Sequence, residues 1–415
     1  MSFGLLKTNS PPIAVDFGVS SLKVLQILPG DTPSLVGSAH AQTPDELLDK
    51  PAERLAYQTS ELARLLRSGE FRGKRAVCSV SATLTFVQHI QPQKLEGATL
   101  ANMVAQRVGE LTGRDASTYI LRHIEVGEVL RAGVRRPEVL CVAIPREAVH
   151  SHMRALRTCK LEPVGVHTEH LALVRSIDHL NKRTEDSQYA TLLVDIGYSA
   201  TKIIMTHGRE PVMARTLLVG GRHLDAMSAK QAGCDLSEAR RRRITGLSLA
   251  AADQAQATTQ APAAAAAGMA AASAANAGSP QRSSAGVAVA EDRRVGMPAP
   301  GLTGLEAGAP TPQRGAEAMD IFRETLADEI SLAIRYHRAL FPDKAVQRAI
   351  FFGGESVHSD MCRYISTELQ LPARLGNPLA ALAKTTGPAA RGTTDSRPSP
   401  AWAVAMGLCV SPTDL

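Results

Sequence analysis

The feature that most constrains this chain is a short motif that occurs twice. The first copy reads VDFGVSSLKVLQILPG, from Val15 to Gly30, and the second reads VDIGYSATKIIMTHG, from Val194 to Gly208. Each copy is an apolar run that ends in Asp, a turn of Gly and small polar residues, a Lys and a second apolar run. This pattern predicts a β-hairpin whose tip offers backbone N–H groups and hydroxyls to an anion. Two facing hairpins of this kind are suited to hold one phosphate chain between them.

Length, charge and cysteines narrow the class of protein. A chain of 415 residues is too long for one ordinary core, so we expect two or more domains. Residues 1–12 hold one Lys and no apolar block, which predicts no signal peptide. Six scattered cysteines without a CxxC pair favour a reducing cytoplasm over disulfides or zinc. The net charge of +6 is densest at Arg240–Arg243, where we expect a solvated helix end and no nucleic-acid site.

Periodicity predicts alternating helices and strands, that is, an α/β fold. Apolar residues recur at helical spacing in 51–71, 99–111 and 319–340, whereas 76–92 and 137–145 have the pattern of strands. The segment 250–316 is nearly all Ala, Gly, Pro, Ser, Thr and Gln. It has too few large apolar residues to offset its ordering entropy, so we expect a disordered Ala-rich insertion.

The order of these motifs resembles the actin-like ATPase fold shared with FtsA and the sugar kinases. In that fold two domains enclose a nucleotide cleft. The two hairpins are similar to its phosphate loops, and the strand that ends in FFGGES is similar to its adenosine motif. The resemblance covers Ile13–Arg243 and Met319–Val410. Glu355 stands where a third glycine is usual.

Within that superfamily the sequence most resembles the PilM family of type IV pilus proteins. The resemblance lies in IAVDFGVSSLKVLQI, in the run from EVLCVAIPREAV to LALVRSI, in LLVDIGYSATKI, in the LLVGGRHLDAMSAKQAGCDLSEAR region, and in FFGGES with the later LGNP. It implies that domain I is formed by 12–77 and 142–190, and that 142–190 includes a connecting helix. The residues between them, 78–141, would form an inserted subdomain. It implies domain II at 191–249 and 317–376, divided by the 250–316 insertion, and a closing helix of domain I at 377–415.

The resemblance also implies the site residues, with ATP and Mg²⁺ as cofactors. Asp16 and Asp195 would flank Mg²⁺ through its waters, although both Asp side chains are also able simply to stabilise their turns. Glu169 would orient the attacking water, and Glu238 would lie near the ribose. The phosphates would meet Gly18, Ser20, Ser21, Lys23, Gly197, Ser199 and Thr201. The ribose and base would be approached by Gly220, Gly221, Gly353 and Gly354. Lys23 alone is equally consistent with a surface lysine.

Two classes of function follow from the resemblance. The first is a cytoplasmic, nucleotide-binding platform of a type IV pilus or related secretion machine, with at most slow Mg²⁺-dependent ATP hydrolysis. It would reach the inner membrane only by binding the N-terminal cytoplasmic tail of a PilN-like protein, and self-association stays open. The tail would dock between domain I and the subdomain, on the strand edges of 77–90 and the apolar side of 99–111. The alternative is an enzyme, either an FtsA-like Mg²⁺-ATPase of cell division or a sugar-kinase-like protein.

Overall fold

A computed structural model describes residues 10–30, 32–92, 97–131, 134–178, 184–245, 314–380, 382 and 399–413. The strands are β1 Ile13–Phe17, β2 Ser21–Leu28, β3 Ser34–Gln42, β4 Arg75–Val80, β5 Phe86–Ile90, β6 Tyr119–Arg131, β7 Val134–Pro145, β8 Glu162–Thr168, β9 Ala190–Ile196, β10 Thr201–His207, β11 Glu210–Leu217, β12 Val346–Phe352 and β13 Ala373–Leu375. The helices are α1 Pro51–Ser68, α2 Leu100–Thr112, α3 Arg146–Thr158, α4 Glu169–Arg175, α5 Gly221–Ala232, α6 at 236–245, α7 Arg314–Leu340, α8 Ser359–Glu368 and α9 Ala403–Cys409.

Two five-stranded sheets with the same topology form the framework. The first has the order β3-β2-β1-β4-β8 and the second has the order β11-β10-β9-β12-β13. In both sheets the first three strands in sequence are antiparallel, the fourth pairs in parallel with the first, and the fifth pairs in parallel with the fourth. The repeated motif in the sequence is therefore the start of a repeated fold.

The predicted hairpins are confirmed, and their registers are the same. Asp16 pairs with Lys23 across β1 and β2, and Asp195 pairs with Lys202 across β9 and β10. Residues directly opposite each other in adjacent strands point to the same face of a sheet. Each hairpin thus sets a carboxylate beside an ammonium group close to its turn.

Helices cover both faces of each sheet. One face of the first sheet packs on α1 and α3, and the other face packs on α9. One face of the second sheet packs on α5, α7 and α8. Its other face packs on α4, through Leu173 and Val174. Because α4 also contributes Ala172 to the cluster around α9, these two short helices lie between the sheets.

The crossing of α4 and α9 is unusually close. A Cβ atom built on Gly407 would lie 1.7 Å from the carbonyl oxygen of Ala172. Only glycine allows the backbones to approach so closely at this point. The crossing therefore sets how far apart the two sheets lie.

The third sheet, of order β5-β7-β6, belongs with α2 to the inserted segment. Val87, Leu140 and Val142 pack against the second sheet. Glu138 is fully buried and accepts hydrogen bonds from the Tyr336 hydroxyl on α7 at 2.5 Å and from the Gln91 amide at 2.7 Å. The third sheet thus contacts both the second sheet and α7.

Most predicted elements are present, but two strands were not predicted. Strands β3 and β6, which complete the first and third sheets, have no counterpart among the elements predicted from the sequence. The predicted insertion at 250–316 lies outside the described residues, except that 314–316 begin α7. Among the residues that the structure describes, no helix combines the length and apolar character needed to cross a membrane.

The close crossing of the two helices gives a stability prediction. Gly407→Ala should lower the free energy of unfolding by about 1–3 kcal/mol, because the new methyl group overpacks the contact with Ala172. Urea unfolding of both proteins measures the difference. Gly30→Ala is the control, since its Cβ would be no nearer than 3.9 Å to Thr32. Equal stability of Gly407→Ala and the wild type would show that the helices are not so close.

Candidate functional site

The turns of the two hairpins face each other across a cavity of about 300 Å³. The cavity is also lined by the segment after β12 and by the start of α9. Its polar and glycine lining comprises Asp16, Gly18, Ser20, Ser21, Lys23, His40, Gln42, Ser81, Thr83, Glu169, Asp195, Gly197, Tyr198, Ser199, Lys202, Gly353, Gly354 and Glu355. The repeated motif therefore forms the two opposing walls of one cleft.

In the first turn, Asp16 is buried and held from two sides. Its Oδ2 lies 3.4 Å from the Lys23 ammonium, and its Oδ1 accepts a hydrogen bond of 3.0 Å from the Ser79 hydroxyl. Burial raises the pKa of Asp16, and nearby Glu169 acts in the same direction against the opposing effect of Lys23. Gly18 is needed in the turn, since a Cβ there would lie 2.8 Å from the Ser21 carbonyl oxygen.

In the second turn, the Lys202 ammonium lies between two carboxylates. It is 2.8 Å from Oδ2 of Asp195 and 2.7 Å from Oε2 of Glu169, the first residue of α4. All three side chains are buried. Burial by itself would lower the pKa of Lys202, but the two carboxylates outweigh it and raise that pKa above its usual value. Lys202 therefore stays charged and ties the hairpin to α4.

His170 lies beside this cluster and is neutral. Its Nε2 is 2.8 Å from the Thr216 hydroxyl on β11. Burial lowers the pKa of His170 to about 3, and the charge of Lys202 acts in the same direction. The second residue of α4 thus adds an uncharged contact to the second sheet.

The glycine pair after β12 approaches the second turn closely. Gly353 has a φ of +93°, and a Cβ on it would lie 2.2 Å from the Ile196 carbonyl oxygen. Glu355 follows, and its side chain lies over Gly221 at the start of α5, where a Cβ would be 2.1 Å from Oε1. Glu355 therefore occupies space between α5 and the glycine pair.

The structure brings most of the predicted site residues together. Eleven of them line the cavity: Asp16, Gly18, Ser20, Ser21, Lys23, Glu169, Asp195, Gly197, Ser199, Gly353 and Gly354. Four do not: Thr201, Gly220, Gly221 and Glu238.

Each of those four residues has a structural setting that explains its place. The Thr201 hydroxyl points away and donates to the Val219 carbonyl at 2.8 Å. Gly220 packs against the Gly197 carbonyl, and Gly221 lies under Glu355. Glu238 lies in the first turn of α6, where its N–H donates to Oδ1 of Asp235 at 2.8 Å.

Sequence reasoning missed Lys202 as a site residue. The signal was present, because Lys202 follows Asp195 by seven residues just as Lys23 follows Asp16. Tyr198, His40 and the Glu355 side chain also line the cavity, although no sequence pattern indicated them. Burial lowers the pKa of His40 below its ordinary value, which disfavours a charge there.

The oxygen atoms that line the cleft indicate whether the predicted Mg²⁺ could bind there. Asp16 and Asp195 supply the oxygen donors that Mg²⁺ prefers, but each already faces a lysine ammonium. No cluster of three or more His, Cys, Asp or Glu side chains within the described ranges is arranged to hold a metal ion. The residues therefore fit Mg²⁺ held through its waters and do not fit direct ligation.

Comparison with known proteins identifies related chains. A family model described as type IV pilus assembly protein PilM matches residues 14–251. The solved PilM-PilN type IV pilus biogenesis complex has a TM-score of 0.67 at 18% identity, covering 96% of this chain and 98% of that chain. This likeness confirms the predicted actin-like α/β fold.

Two other solved structures are more distant. EutJ, an ethanolamine utilization protein from Carboxydothermus hydrogenoformans, has 12% identity and a TM-score of 0.44, covering 96% of this chain and 89% of that one. MreB 5 of Spiroplasma citri bound to AMPPNP has 10% identity and a TM-score of 0.44, covering 97% and 96%. TM-scores this low carry no information on function.

The neutral state of His170 predicts a pH dependence. The native state keeps His170 unprotonated, whereas the unfolded chain takes up a proton near the ordinary pKa of 6.5. Stability from this group is therefore lost as pH falls below about 6.5, by up to about 1.4 kcal/mol per pH unit. Between pH 7 and pH 5, His170→Gln should lose less unfolding free energy than the wild type.

Chemical denaturation at each pH measures this difference. His150→Gln, at an exposed position on α3, is the matched control and should keep the wild-type pH dependence. An equal pH dependence in His170→Gln and the wild type would contradict the assignment.

Proposed function

Because the chain belongs to the PilM family of type IV pilus assembly proteins, we propose that it is a nucleotide-binding platform of a type IV pilus or related secretion machine. The platform would bind ATP with Mg²⁺ and hold the cytoplasmic tail of a PilN-like inner-membrane protein. The observation that carries the nucleotide part is the pair of Asp–Lys turns that face each other across one cavity.

The phosphate groups would lie between the two turns. Lys23 is the cation suited to meet them, because its ion pair with Asp16 is long, at 3.4 Å, and its side chain is 14% exposed. Ser20 and Ser21 line the same wall, and Ser199 lines the opposite one with Gly197. Hydroxyls and the N–H groups of such turns are donors that match phosphate oxygens.

The net negative charge of the cavity lining favours a nucleotide that binds together with a divalent cation. Four carboxylates and two lysines line the cavity, a formal balance of −2. A bare triphosphate would be repelled, whereas Mg²⁺ offsets part of its charge. Asp16 and Asp195 would hold the ion through its water ligands. Direct ligation is disfavoured because each carboxylate already pairs with a lysine ammonium group. The ion would supply charge neutralisation at the phosphates.

The ribose and base would lie along Gly353 and Gly354, which line the cavity beside Glu355. Gly220, Gly221 and Glu238 lie outside the lining, so we propose them as supports of that wall rather than as contacts. Glu169 stays the candidate for orienting a water. Its carboxylate accepts a 2.7 Å bond from Lys202, which opposes its use as a base and is consistent with slow hydrolysis at most.

Nucleotide binding should show as stabilisation against heat. Saturating MgATP at about a hundred times its dissociation constant adds roughly 2.7 kcal/mol to the unfolding free energy, so the melting temperature should rise by a few degrees. Asp16→Asn should lose the Mg²⁺-dependent part of this shift.

The control is Asp360→Asn, whose side chain is 84% exposed on α8. It should keep the full shift. A wild-type melting temperature that does not change in saturating MgATP would contradict nucleotide binding.

We propose that the partner peptide docks where α3 of domain I meets the inserted subdomain. Val80, Ile144 and Val149 form a small buried cluster at this junction, and the half-buried Ile120 and Met153 lie over it. An extended peptide with apolar side chains would bury this surface. Binding there would attach the protein to the inner membrane through its partner and would place it on the cytoplasmic side.

Two of the parts that the sequence suggested are used for internal packing, whereas β5, at the edge of the third sheet, lies within the suggested range 77–90. Strand β4 pairs with β1 on one side and β8 on the other, so it has no free edge. The apolar side of α2 faces its own sheet, with Val104 and Val108 in the core of the subdomain. These residues hold the subdomain together and do not present a docking face.

The docking surface can be tested with a synthetic peptide of the N-terminal cytoplasmic tail of a PilN-like protein. Met153→Asp should weaken binding at least tenfold, about 1.4 kcal/mol, because it places a charge under an apolar contact. Fluorescence anisotropy measures the affinity. Leu111→Asp, at a 40% exposed position near the end of α2, should bind like the wild type. No binding by the wild type, or full binding by Met153→Asp, would place the tail elsewhere.

A further inference from the structure

We propose that Lys202 acts as a permanent cation of the cleft, which neutralises Asp195 and Glu169. The second turn can then face phosphate groups without a second metal ion beyond the one that the nucleotide brings. This inference rests on the proposed nucleotide-binding function. It gives Lys202 a positioning role that differs from that of its counterpart Lys23.

The geometry of the ammonium supports this role. Its nitrogen lies 2.7 Å from one carboxylate and 2.8 Å from the other, and the two belong to different parts of the chain, α4 and β9. The side chains of Lys202, Glu169 and Asp195 are 7%, 8% and 5% exposed. A charge so placed bridges two oxygen donors as a bound cation does.

Electrostatics explain why a cation is needed there. Two carboxylates that converge on one buried point repel each other, and such pairs need a proton, a metal ion or a basic side chain. Lys202 is a residue of β10, and its ammonium lies within 2.8 Å of both carboxylates. The second turn therefore keeps its neutralising charge whether or not a ligand is present.

Comparison with Lys23 separates the two roles. Lys23 occupies the same register position in the first hairpin, but among the described residues it makes one ion pair, at 3.4 Å, and its side chain is twice as exposed. The looser lysine can turn toward a phosphate at little cost. Lys202 would have to release two carboxylates into the cavity to do so.

The experiment uses the full chain with Lys202→Met, the double variant Lys202→Met/Glu169→Gln, and Lys23→Met as the matched control. Calorimetry measures MgATP affinity, and electron paramagnetic resonance measures Mn²⁺ binding without nucleotide. Mn²⁺ serves as the probe because it prefers carboxylate oxygens.

We expect Lys202→Met to bind MgATP at least tenfold more weakly and to gain a Mn²⁺ site between the freed carboxylates. The double variant should lose that Mn²⁺ site and recover most of the MgATP affinity, because neutralising Glu169 replaces the missing positive charge. Lys23→Met should lose affinity and gain no Mn²⁺ site.

Three results would overturn the inference. One is a double variant as weak as Lys202→Met, which would mean that Lys202 contacts the phosphates. The others are wild-type affinity in Lys202→Met and a double variant that does not fold. If the wild type binds no MgATP, the proposed function fails. The Mn²⁺ measurement on Lys202→Met then still decides whether Lys202 acts as a cation between the two carboxylates.

Discussion

The close crossing of α4 and α9 is the constraint on which the other features depend. The two helices lie between the sheets. Because Gly407 has no side chain, the backbone of Ala172 occupies the space that a methyl group at position 407 would need. The crossing fixes α4 between the two five-stranded sheets. Because Glu169 is the first residue of α4, with Thr168 as its N-cap, the same crossing fixes where this carboxylate meets Lys202.

The position of Glu169 on α4 determines how the charged side chains of the cleft are arranged. A buried ion pair adds little net stability, because desolvation offsets most of the Coulomb attraction, but removing one partner leaves an expensive uncompensated charge. The bonds of Lys202 to Asp195 and Glu169 therefore act mainly as a positional constraint, holding the second hairpin to α4. The first hairpin is held more loosely, by one long ion pair and the Ser79 hydroxyl. The duplicated motif thus produces two hairpins that differ in how tightly their lysines are held: Lys202 tightly and Lys23 more loosely.

Much of the framework could be predicted because its signal is local. The repeated Asp-x-Gly turns, the helical spacing of Leu62 and Leu65 and the apolar run before Gly353 depend on neighbours in sequence. Strands β3 and β6 were missed because one is rich in small residues and the other is irregular in pattern. The packing of the inserted sheet on the second domain was missed because it depends on tertiary contacts. The spacing from Asp195 could have indicated Lys202, but its bond to Glu169 could not be predicted, because the two residues lie 33 positions apart in the sequence.

The most direct measurement is a crystal structure of the protein with Mg²⁺ and a non-hydrolysable ATP analogue. We expect the phosphates between Gly18–Ser21 and Gly197–Ala200, with Lys23 turned toward them and Mg²⁺ held through water beside Asp16. Lys202 should still lie between Asp195 and Glu169. An analogue bound outside this cavity, or Lys202 bonded to a phosphate with Glu169 released, would contradict the account.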